Sequence, residues 1–286
     1  MLRPMYTSPD EARSDLFLSA AVYLFGPLVL GTLFNVLPLP GVIFGSILGF
    51  VIPLAVTVLV PWLLIRYRKE SLRSYGLVAL RPADLLLGAV VAAPLVVASL
   101  LMLPGMRQSP VVAMLSIDGG ARLARWLGLC LLGVYGTVKA RDAFRQDYVT
   151  VREGVRDIGR WVVVVALGAA LLLVMSQTVR GASLLDALRL LLLPLGMVGA
   201  LAVIERSVRG PSVTSRQVLL TPTVLLALGP FGLSLNGSVF LTSLYRAALA
   251  GGVGLLVGAM IEAKRTAWAA IGLAAGIALF TLFDLV

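Results

Sequence analysis

Leu16–Val36, LFLSAAVYLFGPLVLGTLFNV, runs for 21 residues without a charge. At about 1.5 Å of rise per residue, a helix of this length crosses the roughly 30 Å hydrocarbon core of a bilayer. It is too long for the apolar region of a secretory signal. Residues 1–15 before it are polar and mixed in charge, so no cleavable leader is expected. Working outward, similar mostly apolar stretches at 43–65, 84–104, 122–138, 161–179, 185–204, 217–235, 239–261 and 266–284 bring the expected spans to about nine. In the fourth, the unbroken apolar part is only Trp126–Val138, 13 residues. That length suits a re-entrant piece, which would leave eight spans.

The whole chain agrees with this reading. Of its 286 residues 59% are hydrophobic and 13% charged, with a mean hydropathy of +0.98. Soluble domains hold about 45–50% apolar and about 25% charged residues. The expected fold class is therefore all-α, a polytopic transmembrane helix bundle whose solvent is the lipid bilayer. No internal repeat or soluble domain interrupts it. The basic break at 66–83 separates a two-helix N-terminal segment, 1–65, from a larger helical membrane domain, 66–286.

Charge orients the bundle. The net charge of +10 would suggest nucleic acid in a soluble protein, but basic loops explain it here, and no nucleic-acid partner is expected. With nine spans and a cytoplasmic N-terminus, 18 Lys and Arg fall on inner segments and 5 on outer ones. Dropping the fourth span would put the basic stretches 66–81 and 139–160 on opposite sides, so the positive-inside rule keeps it. The C-terminus is then outside, and a bacterial plasma membrane is the expected location.

In 139–160, Phe144, Tyr148, Val151, Val155 and Ile158 form one helical stripe, with Arg145, Arg152 and Arg156 off it. An amphipathic helix lying in the cytoplasmic headgroup region is expected over 140–160, ahead of a docking helix for a partner. Gly45/Gly49, Gly254/Gly258 and Gly272/Gly276 each form GxxxG. Lacking Cβ, they let helices approach closely, and packing within the bundle is expected rather than a dimer interface.

Chemistry is constrained by absences. There is no histidine and one cysteine, Cys130, so no Ser–His dyad, no disulfide and no Cys-based metal site can form within the chain. No cofactor is expected. A Ser–Lys dyad needs a buried lysine, and Lys69, Lys139 and Lys264 read as residues of basic inner loops. Within spans, Arg246 and Asp284 fall on the same side and form a candidate pair, against a reading in which Arg246 reaches to the outer interface. At the inner end of the sixth span, Glu205 and Arg209 are four apart and can pair on one helix face.

Glu205…Arg209-Gly210 resembles the EExxxRG motif of the CPBP (CAAX-protease and bacteriocin-processing, Abi-type) intramembrane proteases. Tyr75-Gly76-Leu77 and Asp84-Leu85-Leu86-Leu87-Gly88 resemble that family's "GL" and "dLLxG" entry. Phe231, Gly254, Gly258, Lys264-Arg265 and Trp268 keep its downstream spacing. The likeness covers roughly residues 60–286 and implies a helical membrane endopeptidase. Its catalytic glutamates, histidines and asparagine are departed from, however. The first glutamate is Ile204, the histidine positions are Leu235 and Ala274, and the asparagine position is Ala278. Only Glu205 and Arg209 remain of the set. One carboxylate supplies neither a three-ligand zinc site nor an oxyanion partner.

The resemblance thus implies a non-catalytic relative that binds or scaffolds a membrane protein or hydrophobic peptide. A transporter-like, permease-like or lipid-handling subunit is the alternative, opposed by the few polar residues within spans. A divergent endopeptidase built on Glu205 ranks third.

Overall fold

The computed structural model describes residues 8–36, 51–77, 79–102, 117–144, 147–181, 183–208, 212–232 and 240–280. It is an all-α helical membrane bundle. Its long helices are α1 (Pro9–Asn35), α2 (Ile52–Tyr67), α3 (Pro82–Met102), α4 (Ile117–Ala143), α5 (Val151–Val179), α6 (Leu192–Ser207), α7 (Arg216–Gly232), α8 (Phe240–Lys264) and α9 (Trp268–Phe280). Five helical stretches are long and apolar enough to cross a membrane, namely α1, α3, α5, α8 and α6 taken with the turn before it (Arg189–Ser207), while α2 and α9 are shorter apolar helices.

Local chemistry sets several boundaries. Ser8 and Glu11 exchange side-chain and backbone hydrogen bonds at the start of α1. Thr150 and Glu153 form a capping box at the start of α5. Each satisfies amide groups that a helix start leaves without partners. In α2, a π-helical stretch at Ala55–Leu59 lies between Pro53 and Pro61, and proline rings are a usual cause of such irregularity.

The fourth apolar stretch does not turn back on itself. It lies in α4, one continuous helix of 27 residues, roughly 40 Å long and longer than the hydrocarbon core.

The segment 140–160 is not one amphipathic helix. α4 ends at Ala143, and Asp147 takes a left-handed φ of 58°. Strand β1 (Tyr148–Thr150) then pairs antiparallel with β2 (Val213–Ser215), Val149 opposite Thr214. Val151 and Val155 are the first turns of α5 and are buried against protein. A Cβ on Gly154 would come within 2.5 Å of Leu219. Val151 and Val155 are apolar because they enter the bundle core, while Tyr148 of the same stripe is exposed on β1.

α8 is the central helix. It packs on α4, α5, α6, α7 and α9, and Ala247 through Glu262 is buried without a break. A helix buried on all faces must be apolar on all faces. Its small residues set the separations: a Cβ on Gly254 would sit 2.2 Å from the Pro222 carbonyl oxygen of α7. α3 and α9 interlock in the same way. A Cβ on Gly88 would meet the Ala269 carbonyl at 2.0 Å, and one on Gly272 the Leu85 carbonyl at 2.3 Å. The glycine pairs of α8 and α9 therefore serve packing within the bundle, while Gly45 and Gly49 lie outside the described residues. α1 packs on α4 and α7.

Candidate functional site

Ion pairs gather at one end of the bundle. They join the starts of α1, α5 and α7 to the ends of α4, α6 and α8 and to residues just past α2. Arg141 at the end of α4 donates to Glu262 of α8 at 3.0 Å. Arg216 at the start of α7 pairs with Asp157 of α5 at 3.3 Å. Starts and ends meet in this way only if successive helices run up and down. The stretches around 66–75 and 139 share this end, as the charge distribution required of the fourth span, because Lys139 reaches Glu70 at 2.6 Å.

Glu205, the residue singled out by the sequence, lies here at the end of α6. Its Oε1 accepts from Arg156 at 2.7 Å and Arg152 at 3.2 Å, both on α5. These, rather than Arg209, are its described partners. α6 stops at Ser207, and Val208 is extended with φ −78° and ψ 91°. Arg209 itself, Leu235 and Asp284 lie outside the described residues. Three other positions to which the resemblance pointed are packing positions. Ile204 is fully buried on α6, and Ala274 and Ala278 are buried on α9. α6 packs on α3, α5 and α8, whereas α9 packs on α3, α4 and α8. Arg246 sits half-buried in α8.

A second cluster was not anticipated. Lys139 is not a loop residue: it lies in the last turns of α4 and is wholly buried. Its ammonium donates to Asp15 of α1 at 2.9 Å and to Glu70 at 2.6 Å. Arg68 donates to Asp15 at 3.1 Å and Glu11 at 2.8 Å. The Tyr75 hydroxyl donates to Glu70, and its ring stacks on Tyr135 with centroids 5.8 Å apart. Lys139 also lies over the Tyr135 ring. Burial, and then the hydrogen bond to Glu70, push the Tyr75 phenol well above its ordinary pKa. The hydroxyls of Ser19 and Tyr135, both buried, make no hydrogen bond of good geometry.

Chemically this cluster is a tie. Lys139 spends its donors on two carboxylates, joining α1, the turn after α2 and α4. That turn is itself anchored: Gly76 has φ 76°, and its carbonyl accepts from the Ala267 amide at 3.0 Å, between α8 and α9. A side chain on Gly76 would strike the Ala267 nitrogen at 2.7 Å, so this position suits glycine twice over. The sequence signal for the cluster was available as two i,i+4 polar pairs, Asp15/Ser19 and Tyr135/Lys139, each on one helix face. Among the described residues, no three His, Cys, Asp or Glu side chains gather as a metal-binding group.

In comparisons with known proteins, no family model, curated protein or solved structure matches this chain.

Proposed function

We propose that this chain is a membrane-embedded binding or scaffold protein, built on a bundle resembling that of the CPBP proteases but without their peptidase chemistry. The observation that carries this reading is the setting of Glu205. Two guanidinium groups engage the one carboxylate left from the motif, and a carboxylate so paired is a weak general base. The apolar, buried character of Ile204, Ala274 and Ala278 supports the same reading. The client is a transmembrane segment or hydrophobic peptide. A furrow of about 390 Å³ between α1 and α7, lined by Leu16, Phe17, Leu220, Val224 and Leu228, offers such a segment an apolar seat. By the positive-inside rule the ion-paired end faces the cytoplasm of a bacterial cell, with the N-terminus inside and the C-terminus outside.

The test is peptidase activity of the detergent-purified protein on a pool of prenylated and unmodified peptides, beside Glu205→Ala. The expected result is no cleavage above the variant's background. Cleavage that vanishes in the variant would overturn the proposal in favour of an endopeptidase built on Glu205. A permease-like or lipid-handling subunit is the second reading. The buried Lys139 cluster favours it by placing charge inside the bundle, although the cluster sits at one end of α4 and marks no path across.

A further inference from the structure

Where α5 and α6 diverge at the ion-paired end they leave a crevice of about 230 Å³, walled by Val163, Val198 and Leu201 and headed by Arg156, Arg160 and Glu205. A second hollow of about 280 Å³ adjoins it through Arg156 and carries Arg152, Thr150 and Glu153. Arg152, Arg156 and Arg160 are spaced i, i+4, i+8, so they stack along one face of α5 at steps of about 6 Å. Below them the outer surface is apolar: Trp161, Val164, Leu195 and Val198 are all exposed. Trp161 beside Arg160 marks the depth at which tryptophan prefers the interface between headgroups and chains.

The local charge can be counted. Three arginines face two carboxylates, Glu205 and Glu153, and Glu153 is turned onto Thr150 in the capping box. One positive charge is left over at the head of an apolar slot. A phosphodiester carries one negative charge, and guanidinium groups bind phosphate oxygens with matched geometry. Basic pockets between membrane helices suit anionic headgroups.

We infer that the crevice between α5 and α6 binds one anionic phospholipid of the surrounding bilayer, its phosphodiester on Arg156 and Arg160 and one acyl chain against Val163, Val198 and Leu201. Glu205 acts as a competing anion that holds Arg152 and Arg156 partly occupied. The inference is independent of whether the chain cleaves peptides, since its readout is lipid retention.

Native mass spectrometry of the detergent-purified full chain is the test, with phosphatidylglycerol, phosphatidylcholine or inorganic phosphate added. The wild type is expected to retain one phosphatidylglycerol at least ten-fold more tightly than phosphatidylcholine. Arg160→Gln should lose that preference, and Val198→Trp should lose the lipid with all three arginines intact. Glu205→Gln should retain phosphatidylglycerol more tightly than the wild type, because a competing anion has gone. Equal retention of the two lipids overturns the inference, as does undiminished phosphatidylglycerol retention in both Arg160→Gln and Val198→Trp. Inorganic phosphate displacing the lipid completely would reassign the site to a free anion. If Arg160→Gln fails to fold, Arg160→Lys and Val198→Trp decide between these outcomes.

Discussion

Lys139, Asp15 and Glu70 meet where a helix start, a helix end and a turn close over one another. Glu205, Arg152 and Arg156 meet at the same end of the bundle but at its rim. Side-chain exposure separates them: Lys139 is 0% exposed, Asp15 3% and Glu70 8%, against 60% for Arg152, 53% for Arg156 and 22% for Glu205. In the first a buried ammonium meets two carboxylates, one of them shared with Arg68; in the second two guanidinium groups meet one carboxylate. The physics of removal differs. Taking one partner from a buried set strands charge in a medium that cannot solvate it. Taking one from the rim returns the others to water and headgroups at little cost. The buried cluster is thus bound into the fold, and the rim cluster is free to meet ligands.

The largest test of this contrast is Lys139→Met, which takes the buried ammonium from Glu70 and leaves Asp15 to Arg68. It is expected to cost about 3–5 kcal/mol of stability, read as a fall in resistance to denaturing detergent. The double variant Lys139→Met with Glu70→Gln should recover much of that loss, Asp15 keeping Arg68. A single variant that unfolds with the wild type would mean the cluster is not dry.

Tyr75→Phe comes next. Losing a buried hydrogen bond to a charged acceptor should cost about 1.5–3 kcal/mol. The pH sign follows from the raised pKa. The stability this phenol contributes is complete below about pH 10 and falls as pH rises above it, because the unfolded chain ionises first. Up to about pH 11, the tyrosinate absorbance of folded wild type and folded Tyr75→Phe should therefore superimpose. Extra absorbance in the wild type would show that the phenol reaches solvent.

The smallest expected effect is that of Glu205→Gln on stability, at most about 1 kcal/mol and shrinking further as salt is raised. A loss as large as that of Lys139→Met would erase the distinction between the two clusters.

What the sequence could reveal follows the same division. The helices were legible because each announces itself by its own residues, and the close contacts of Gly254 and Gly272 were legible because small residues at i, i+4 point to one face. Glu205 stood out because of the short local pattern around it, yet its partners Arg152 and Arg156 are remote in the chain. Lys139 was misplaced for a related reason. Its charge lowers the apolarity of the end of α4 and mimics a loop, while the carboxylates it meets lie 124 and 69 residues away. The stripe at 144–158 was misread because its cover, β2 and Leu219 of α7, also comes from far along the chain. Periodicity shows that a face is apolar and leaves open whether lipid or protein covers it.

The interlock of Gly88 on α3 with Gly272 on α9 also imposes a timetable. The two helices are made about 180 residues apart, so at ordinary synthesis rates α3 waits in the membrane for roughly 10–40 s before its mate is complete. During that interval its small-residue groove lies open to lipid and to any other nascent helix nearby. A ribosome that stalls before residue 268 would release a chain with its most intimate joint still gaping, and membrane quality control would have a ready mark by which to know it.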